Sequence, residues 1–364
     1  MKVFYEELLN WYSRNRRELP WREDPSPYHV WLSEIMLQQT RVEAVKGYYQ
    51  RFLNTLPDVG SLAEAPEDTC LKLWEGLGYY SRVRNLKKAA EEVMENYKGE
   101  IPGTSAELKL LPGIGSYTSA AIASIAFGER IPAVDGNLLR IFSRLEMYDE
   151  NIRTSAALKK AVQYYTELMP EKPEKIEEGN PCGNFNQALM DLGNAVCLPG
   201  TVPDCGNCPI SDFCRTHRER PGLEADLPVI PAGKDKKVEF LTVFLIRSEG
   251  RTAVRKRPAR GLLAGLYEFP NTAGELEREE AVEWLREHSV EPLRIRRITD
   301  AEHIFTHKKW IMRRYEVITD PFSEKDIPFI MASLEEITDK YCIPSAFVTY
   351  LKWLDPNRNI PKSR

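Results

Sequence analysis

Hydrophobic positions recur at helical spacing through the first two hundred residues and then give way to alternation. Phe4, Leu8, Trp11 and Tyr12 mark one side of a helix over residues 3–17, which Leu19-Pro20-Trp21-Arg22 breaks. A longer pattern through Trp31, Ile35, Leu37, Val42, Val45 and Phe52 predicts one helix or two across 28–53. Further helices are predicted over 61–75, 81–97, 117–127, 137–146, 154–168 and 184–196. No strand-like alternation interrupts them, so this region reads as all-α. Residues 215–237 are polar and rich in Pro, Arg and Glu, the composition of a linker. Beyond them, strands are predicted at 238–246, 252–256 and 310–318 and helices at 277–288 and 345–354, an α+β pattern. The chain thus divides into an all-α domain at 1–214, a linker at 215–237 and an α+β domain at 238–364.

The most informative stretch spans 111–135. Leu111-Pro112-Gly113-Ile114-Gly115 cannot continue a helix, and its two glycines permit positive φ and close backbone approach. The Ala-rich run after it reads as a short buried helix whose first amides open from the glycine turn. Such a helix start suits an anion, a phosphodiester included. A corner used only for packing fits the same residues.

Composition adds limits. A chain of 364 residues is long for one core. Its net charge of −4 gives no bulk electrostatic argument for a nucleic-acid partner, which would need local patches. No run of eighteen apolar residues occurs, and Met1-Lys2-Val3-Phe4-Tyr5-Glu6 lacks the order of a secretion signal, so a cytoplasmic protein with no membrane partner is expected. Of seven cysteines, four form the cluster Cys197-x7-Cys205-x2-Cys208-x5-Cys214. In a reducing compartment this spacing points to a metal, with iron–sulfur and zinc evenly placed.

Two carboxylates flank the glycine turn in sequence. Glu34 lies between Trp31 and Ile35, and its position alone favours the exposed edge of a helix face over a buried site. Asp135, followed by Gly136 and Asn137, reads most simply as an N-cap. Brought together in unlike surroundings, such a pair can break a glycosidic bond: one protonates the leaving group while the other stays ionised beside the oxocarbenium ion.

The glycine turn, Asp135 twenty residues after it and the four-cysteine loop resemble the helix-hairpin-helix superfamily of DNA base-excision glycosylases, with the endonuclease III-like fold. Within it, Ser33-Glu34-Ile35-Met36-Leu37-Gln38-Gln39-Thr40, Gly76-Leu77-Gly78-Tyr79-Tyr80-Ser81-Arg82, Val134-Asp135-Gly136-Asn137 and the segment from Arg257-Pro258 to Pro270 are similar to the adenine-specific MutY-type branch. The resemblance implies an all-α glycosylase with an iron–sulfur loop and a Nudix-like second domain. It implies excision of adenine opposite 8-oxoguanine or guanine in double-stranded DNA by a monomer, bacterial in type and nucleoid-associated while acting. Glu34 would protonate adenine and later help activate water, Asp135 would stabilise the cation, and Tyr117 and Asn137 would hold both. Trp21, Arg22 and Gln187 would line the adenine pocket. Gln39 and Tyr79 would enter the duplex, while Leu111, Gly113, Gly115 and the cysteine loop would meet the backbone. Cys197, Cys205, Cys208 and Cys214 would hold a 4Fe-4S cluster.

Tyr117 stands where the bifunctional branch carries a lysine, and a phenol cannot form a Schiff base. A monofunctional enzyme is therefore implied over a glycosylase/lyase for oxidised pyrimidines, with a non-catalytic DNA-damage binder as a further alternative. In the second domain Arg278-Glu279-Glu280-Ala281-Val282-Glu283 is only a remnant of the magnesium-holding Nudix cassette, so recognition is implied rather than nucleotide hydrolysis. Phe305-Thr306-His307 occupies the position of the family's Phe-Ser-His loop, which contacts 8-oxoguanine. Two departures stand out: Thr306 adds a methyl group to that loop, and the first cysteine gap is one residue longer than is usual.

Overall fold

The computed structural model describes residues 3–172, 179–231, 235–321 and 327–354. The chain forms two compact units, one of Met1–Ala65 with Ser81–Ala232, the other of Pro66–Tyr80 with Gly233–Arg364.

Helices build the first unit: α1 (Phe4–Asn15), α2 (Pro20–Glu23), α3 (Pro27–Leu37), α4 (Val42–Thr55) and α5 (Val59–Glu64). After α6 (Glu67–Leu73), which lies in the other unit, follow α7 (Ser81–Asn96), α8 (Ser105–Leu108), α9 (Ser116–Phe127), α10 (Gly136–Leu145), α11 (Ser155–Leu168), α12 (Pro181–Ala195) and α13 (Arg215–Glu219). The predicted helix across 28–53 is two, because the chain turns at residues 38–41, where Gln39 takes φ +58. The predicted helix over 61–75 is also two: Ala65 leaves the helical region and Pro66 caps the next start. A proline there removes an amide that α5 would need to continue. One core joins α1, α10, α11 and α12 through Leu8, Leu138, Ile141, Tyr165, Phe185 and Leu189.

The expected linker at 215–237 is largely ordered into this unit. Thr216 Oγ1 donates to the Arg144 carbonyl at 2.6 Å, Arg144 Nε donates to the Leu227 carbonyl at 3.1 Å, and Leu227 is buried. Its polar composition hid these tethers, which run through single hydrogen bonds and one apolar anchor rather than through periodicity.

In the second unit, β1 (Lys237–Ser248), β2 (Arg251–Lys256), β3 (Tyr267–Glu268), β4 (Asn271–Ala273), β5 (Pro292–Ile304), β6 (Lys308–Thr319) and β7 (Ile330–Ala332) form one sheet. Its main order is β3-β2-β1-β6-β5, with β1 parallel to β6 and β5 antiparallel to β6. Phe244, Ile246, Tyr315 and Val317 pack with Ala281 and Leu285 of α14 (Arg278–Glu287). A separate cluster sets Val243, Leu245 and Met312 against Ile337 of α15 (Leu334–Asp339) and Leu351 of α16 (Val348–Leu354). Residues 66–80 belong here as well: Cys342 Sγ donates to the Leu71 carbonyl at 3.3 Å, and the Ile343 amide donates to Glu75 Oε1 at 2.8 Å. Among the described residues no helix is long and apolar enough to cross a membrane.

Candidate active site

Five helices of the first unit, α2, α3, α9, α10 and α12, converge on a cavity of about 870 Å³ whose lining includes Trp21, Arg22, Glu34, Tyr117, Asp135, Asn137 and Gln187. Each of these seven residues was expected from sequence to serve catalysis or the adenine pocket, and the fold brings them to one place. α3 is apolar on every side, so its middle is enclosed and Glu34 with it. Glu34 is 6% exposed, which overturns the reading of an exposed helix edge. Periodicity could not reveal this, because a helix buried all round carries no polar face to be read.

Burial pushes the Glu34 carboxyl up to about 7, reinforced by the Asp135 charge and opposed by the Tyr117 hydrogen bond and Arg22. The Tyr117 hydroxyl donates to Glu34 Oε2 at 2.8 Å. Burial, and then the Glu34 charge, hold the phenol well above its ordinary range, so it stays a donor. A carboxyl near 7 is poised to give up a proton at neutral pH.

Asp135 is the N-cap of α10, as its sequence context indicated, and it also faces the cavity. Its Oδ1 accepts from the Leu138 amide at 2.8 Å and its Oδ2 from Asn137 Nδ2 at 3.0 Å. Burial raises its pKa, while the Leu138 and Asn137 donors oppose that rise. The two acids therefore differ as catalysis of glycosidic cleavage requires: Glu34 is enclosed with one donor, whereas Asp135 has its charge supported by backbone and side-chain N–H groups.

Sequence reasoning missed the residues that hold these groups. Asp191, 1% exposed on its side chain, binds Arg22 through Nη1 at 2.7 Å and Nη2 at 3.0 Å, and Arg17 through Nε at 2.7 Å. Burial opposes its ionisation, but the Arg22 hydrogen bonds and the two guanidinium charges outweigh it and keep the carboxyl below its ordinary value. Asp191 follows Gln187 by one helical turn on α12, the spacing that could have signalled a shared face. Arg140 Nη2 donates to Asn137 Oδ1 at 3.0 Å and its Nε to the Cys197 carbonyl at 3.0 Å. Arg144, one turn further on α10, sets Nη1 3.1 Å from Cys197 Sγ.

All four clustered cysteines line one small cavity, together with Arg144, His217 and Glu224. Burial pushes the Cys205 thiol up to about 11 and the Cys208 thiol up to about 12. Arg144 Nη2 is buried and, among the described residues, has no acceptor. A guanidinium with an unfilled donor beside four converging sulfurs fits an anionic group ligated by thiolates. Cys205, His217 and Glu224 also set donor atoms within 4.8 Å of one another.

The hairpin behaves as its glycines predict. Gly113 has φ +77, and a Cβ there would lie 2.6 Å from Asn85 Cβ. Gly115 caps α9 without a side-chain acceptor, and nothing lies within 4 Å of where its Cβ would be. Gly113→Ala should therefore lower stability by about 1–3 kcal/mol through clash and positive φ. Gly115→Ala should unfold as the wild type does yet bind duplex DNA more weakly, since its methyl group would stand before the open amides. Thermal melting and DNA titration of the two variants check this contrast.

Other expected DNA contacts divide. Gln39 is exposed, and Tyr79 is 45% exposed with φ +47. Phe305 is half-buried while Thr306 and His307 are exposed, and Thr306 Oγ1 lies 2.6 Å from the Tyr79 hydroxyl within the second unit. Leu111, however, is 3% exposed and its side chain belongs to the core, whereas its neighbour Leu110 is 74% exposed. The apolar residue exposed at the hairpin is thus Leu110, while Leu111 would meet DNA only through its backbone. The cysteine loop over 197–214 contains no Lys or Arg, so any contact it makes with phosphate would come from its amides or uncharged side chains.

The helical unit and the chemistry of its cavity define a base excision DNA repair enzyme: residues 32–166 match the HhH-GPD superfamily of base excision DNA repair proteins, and residues 242–353 match the NUDIX domain. A solved thermostable thymine-DNA glycosylase, 29% identical, covers 59% of this chain and 95% of its own with a TM-score of 0.51. The adenine DNA glycosylase of Mus musculus is 32% identical over 374 aligned positions, 87% of this chain and 71% of its own. That of Buchnera aphidicola subsp. Baizongia pistaciae is 32% identical over 310, covering 84% and 83%. The chain belongs to the MutY-type adenine DNA glycosylases, enzymes of base excision repair that remove adenine from DNA.

Proposed function

We propose that this enzyme is a monofunctional glycosylase that excises adenine opposite 8-oxoguanine or guanine in duplex DNA and leaves an abasic site. The observation that carries the reading is Tyr117, hydrogen-bonded at 2.8 Å to Glu34 at the position where a lyase would need a lysine. Protonated Glu34 gives its proton to the adenine ring, the C1′–N9 bond breaks with its electron pair leaving on the base, and Asp135 stabilises the oxocarbenium ion. Water then adds to C1′ and its proton passes to the Glu34 carboxylate, which restores the acid. The target base must leave the helix to reach these groups, and a cavity lined by Trp21, Arg22 and Gln187 suits a flipped purine.

Opposite-base recognition is assigned to the Nudix-like unit, with Tyr79, Phe305, Thr306 and His307 as its reading surface. Thr306 retains the hydroxyl that a serine would supply. The protein acts as a monomer, and its cysteines hold a 4Fe-4S cluster. Support for the cluster over zinc comes from family membership and from the four cysteines that line one cavity, of which the Cys205-His217-Glu224 trio uses one. The cluster would be held by Cys197, Cys205, Cys208 and Cys214 and would serve there as a structural anchor for α10 and α12.

The decisive assay is incubation with a duplex bearing one 8-oxoguanine:adenine pair, divided into samples with and without alkali. Adenine release with strand breakage only after alkali is expected. Breakage without alkali would overturn the monofunctional assignment, and equal rates opposite 8-oxoguanine and thymine would overturn the mispair assignment.

A further inference from the structure

The turn that follows α3 joins two parts of the reaction. Glu34 lies in the last turn of α3, and five residues later Gln39 is exposed in a left-handed backbone conformation at φ +58. A non-glycine residue holds that conformation only where its surroundings over-determine it. The helix end supplies no such constraint itself, because its last carbonyls need partners from outside the helix. The Thr40 amide takes the Leu37 carbonyl at 3.2 Å. One buried guanidinium takes two more and the carbonyl that follows the helix: Arg82 Nη1 donates to the carbonyls of Ile35 at 2.9 Å, Met36 at 2.8 Å and Gln38 at 2.7 Å. Its Nη2 donates to Thr40 Oγ1 at 3.2 Å. On the other side, Gln38 Nε2 donates to Thr118 Oγ1 at 3.2 Å, next in sequence to Tyr117.

We infer that Arg82 is a positioning residue that locks the Gln39 turn onto the helix carrying Glu34, so that entry of Gln39 into the duplex and delivery of adenine to Glu34 share one rigid element. This rests on the proposed entry of Gln39 into the duplex. The guanidinium suits the task because a planar fork reaches three carbonyls and a hydroxyl at once, and its charge sits at the negative end of the α3 dipole. A lysine ammonium can approach the carbonyls but cannot also span to Thr40. The contact acts on three backbone carbonyls and the Thr40 hydroxyl, and although Thr40 lines the cavity, Arg82 itself does not.

The test compares wild type, Arg82→Lys, Arg82→Met and Gln39→Ala in the full chain. Three readouts are taken: thermal unfolding, single-turnover adenine release at saturating enzyme, and fluorescence of 2-aminopurine placed beside the target adenine, which reports opening of the stack. Arg82→Lys is expected to melt near wild type, to release adenine about 10-fold more slowly and to show a reduced opening signal; for Arg82→Met a loss of about 100-fold is expected, the scale set by misplacing reacting groups by an ångström. The Gln39→Ala/Arg82→Met double variant should open the duplex no less than Arg82→Met alone. Hydrogen exchange of residues 37–41 should accelerate in Arg82→Lys, a readout that survives if Arg82→Met fails to fold. Wild-type opening and release in a folded Arg82→Lys, unchanged exchange at 37–41, or additive losses in the double variant would each overturn the inference. If Gln39→Ala opens the duplex as wild type does, the proposed duplex entry by Gln39 fails instead, a result separable from the Arg82 outcomes.

Discussion

Glu34→Gln removes adenine release and, above neutral pH, makes the protein harder to unfold. The loss of activity is expected at about 10³–10⁴-fold in single turnover, because an amide cannot give up the proton that adenine needs to leave. The gain in stability comes from the same burial that makes Glu34 a usable acid. Its carboxyl ordinarily titrates at 4.5 and is pushed up to about 7 in the fold, chiefly by burial. The fold favours the protonated form, so the stabilising contribution is complete below pH 4.5, declines as pH rises and is lost beyond 7. The ionised group then opposes folding by about 3 kcal/mol, an order-of-magnitude figure that a neutral glutamine does not incur. Glutamine keeps an oxygen to accept from Tyr117, so the cavity wall remains intact. Denaturant titration at pH 4.5 and pH 8 should give near-equal stability for the two proteins in acid and a more stable variant in base. In wild type, the single-turnover rate should be flat in acid and fall as pH rises through about 7. A stable Glu34→Gln that still releases adenine would end the assignment of Glu34 as the acid.

The sequence carried the chemistry of this enzyme further than its architecture. Glu34, Tyr117, Asp135 and Asn137 could be assigned because their residue types and spacing match a known family, yet only the fold shows that Glu34 is enclosed. The hairpin was legible for a physical reason: Gly113 has no substitute at φ +77 against Asn85, so the residue type itself encodes the geometry. Residues that act by holding others left fainter marks. Asp191 and Arg140 carry no motif, Arg82 only a place in one, and their long-range partners, Arg22, the α3 carbonyls and the Cys197 carbonyl, show that they are buried braces. The strand β5 also went unpredicted. It is the edge of the sheet, and exposed residues such as Leu293, Arg294, Arg296 and Arg297 erase the alternation expected of a half-buried strand.

Asp135→Asn should separate two duties that this carboxylate performs at once. As an N-cap, Asp135 satisfies the Leu138 amide; as a charge, it faces the cavity where a cation forms. Asparagine caps helices about as well as aspartate, so α10 should start at the same residue in the variant. Burial raises the Asp135 pKa above its ordinary 3.8, so its contribution to stability is full below that pH and is lost as pH rises through the folded value. At neutral pH the neutral amide should therefore leave the protein at least as stable as wild type, with the difference vanishing in acid. Activity should move the other way. Without the carboxylate the oxocarbenium ion loses its nearest counter-charge in a partly desolvated cavity, and a rate loss of about 10²–10³-fold is expected. Asp135→Ala supplies the control: it should lose a similar factor in rate and, in addition, about 1 kcal/mol of stability with the missing cap. Thermal unfolding and single-turnover kinetics on the three proteins distinguish the duties. An asparagine variant with wild-type turnover would show that Asp135 serves only as a cap, and the oxocarbenium ion would then need its stabilising charge from elsewhere in the cavity.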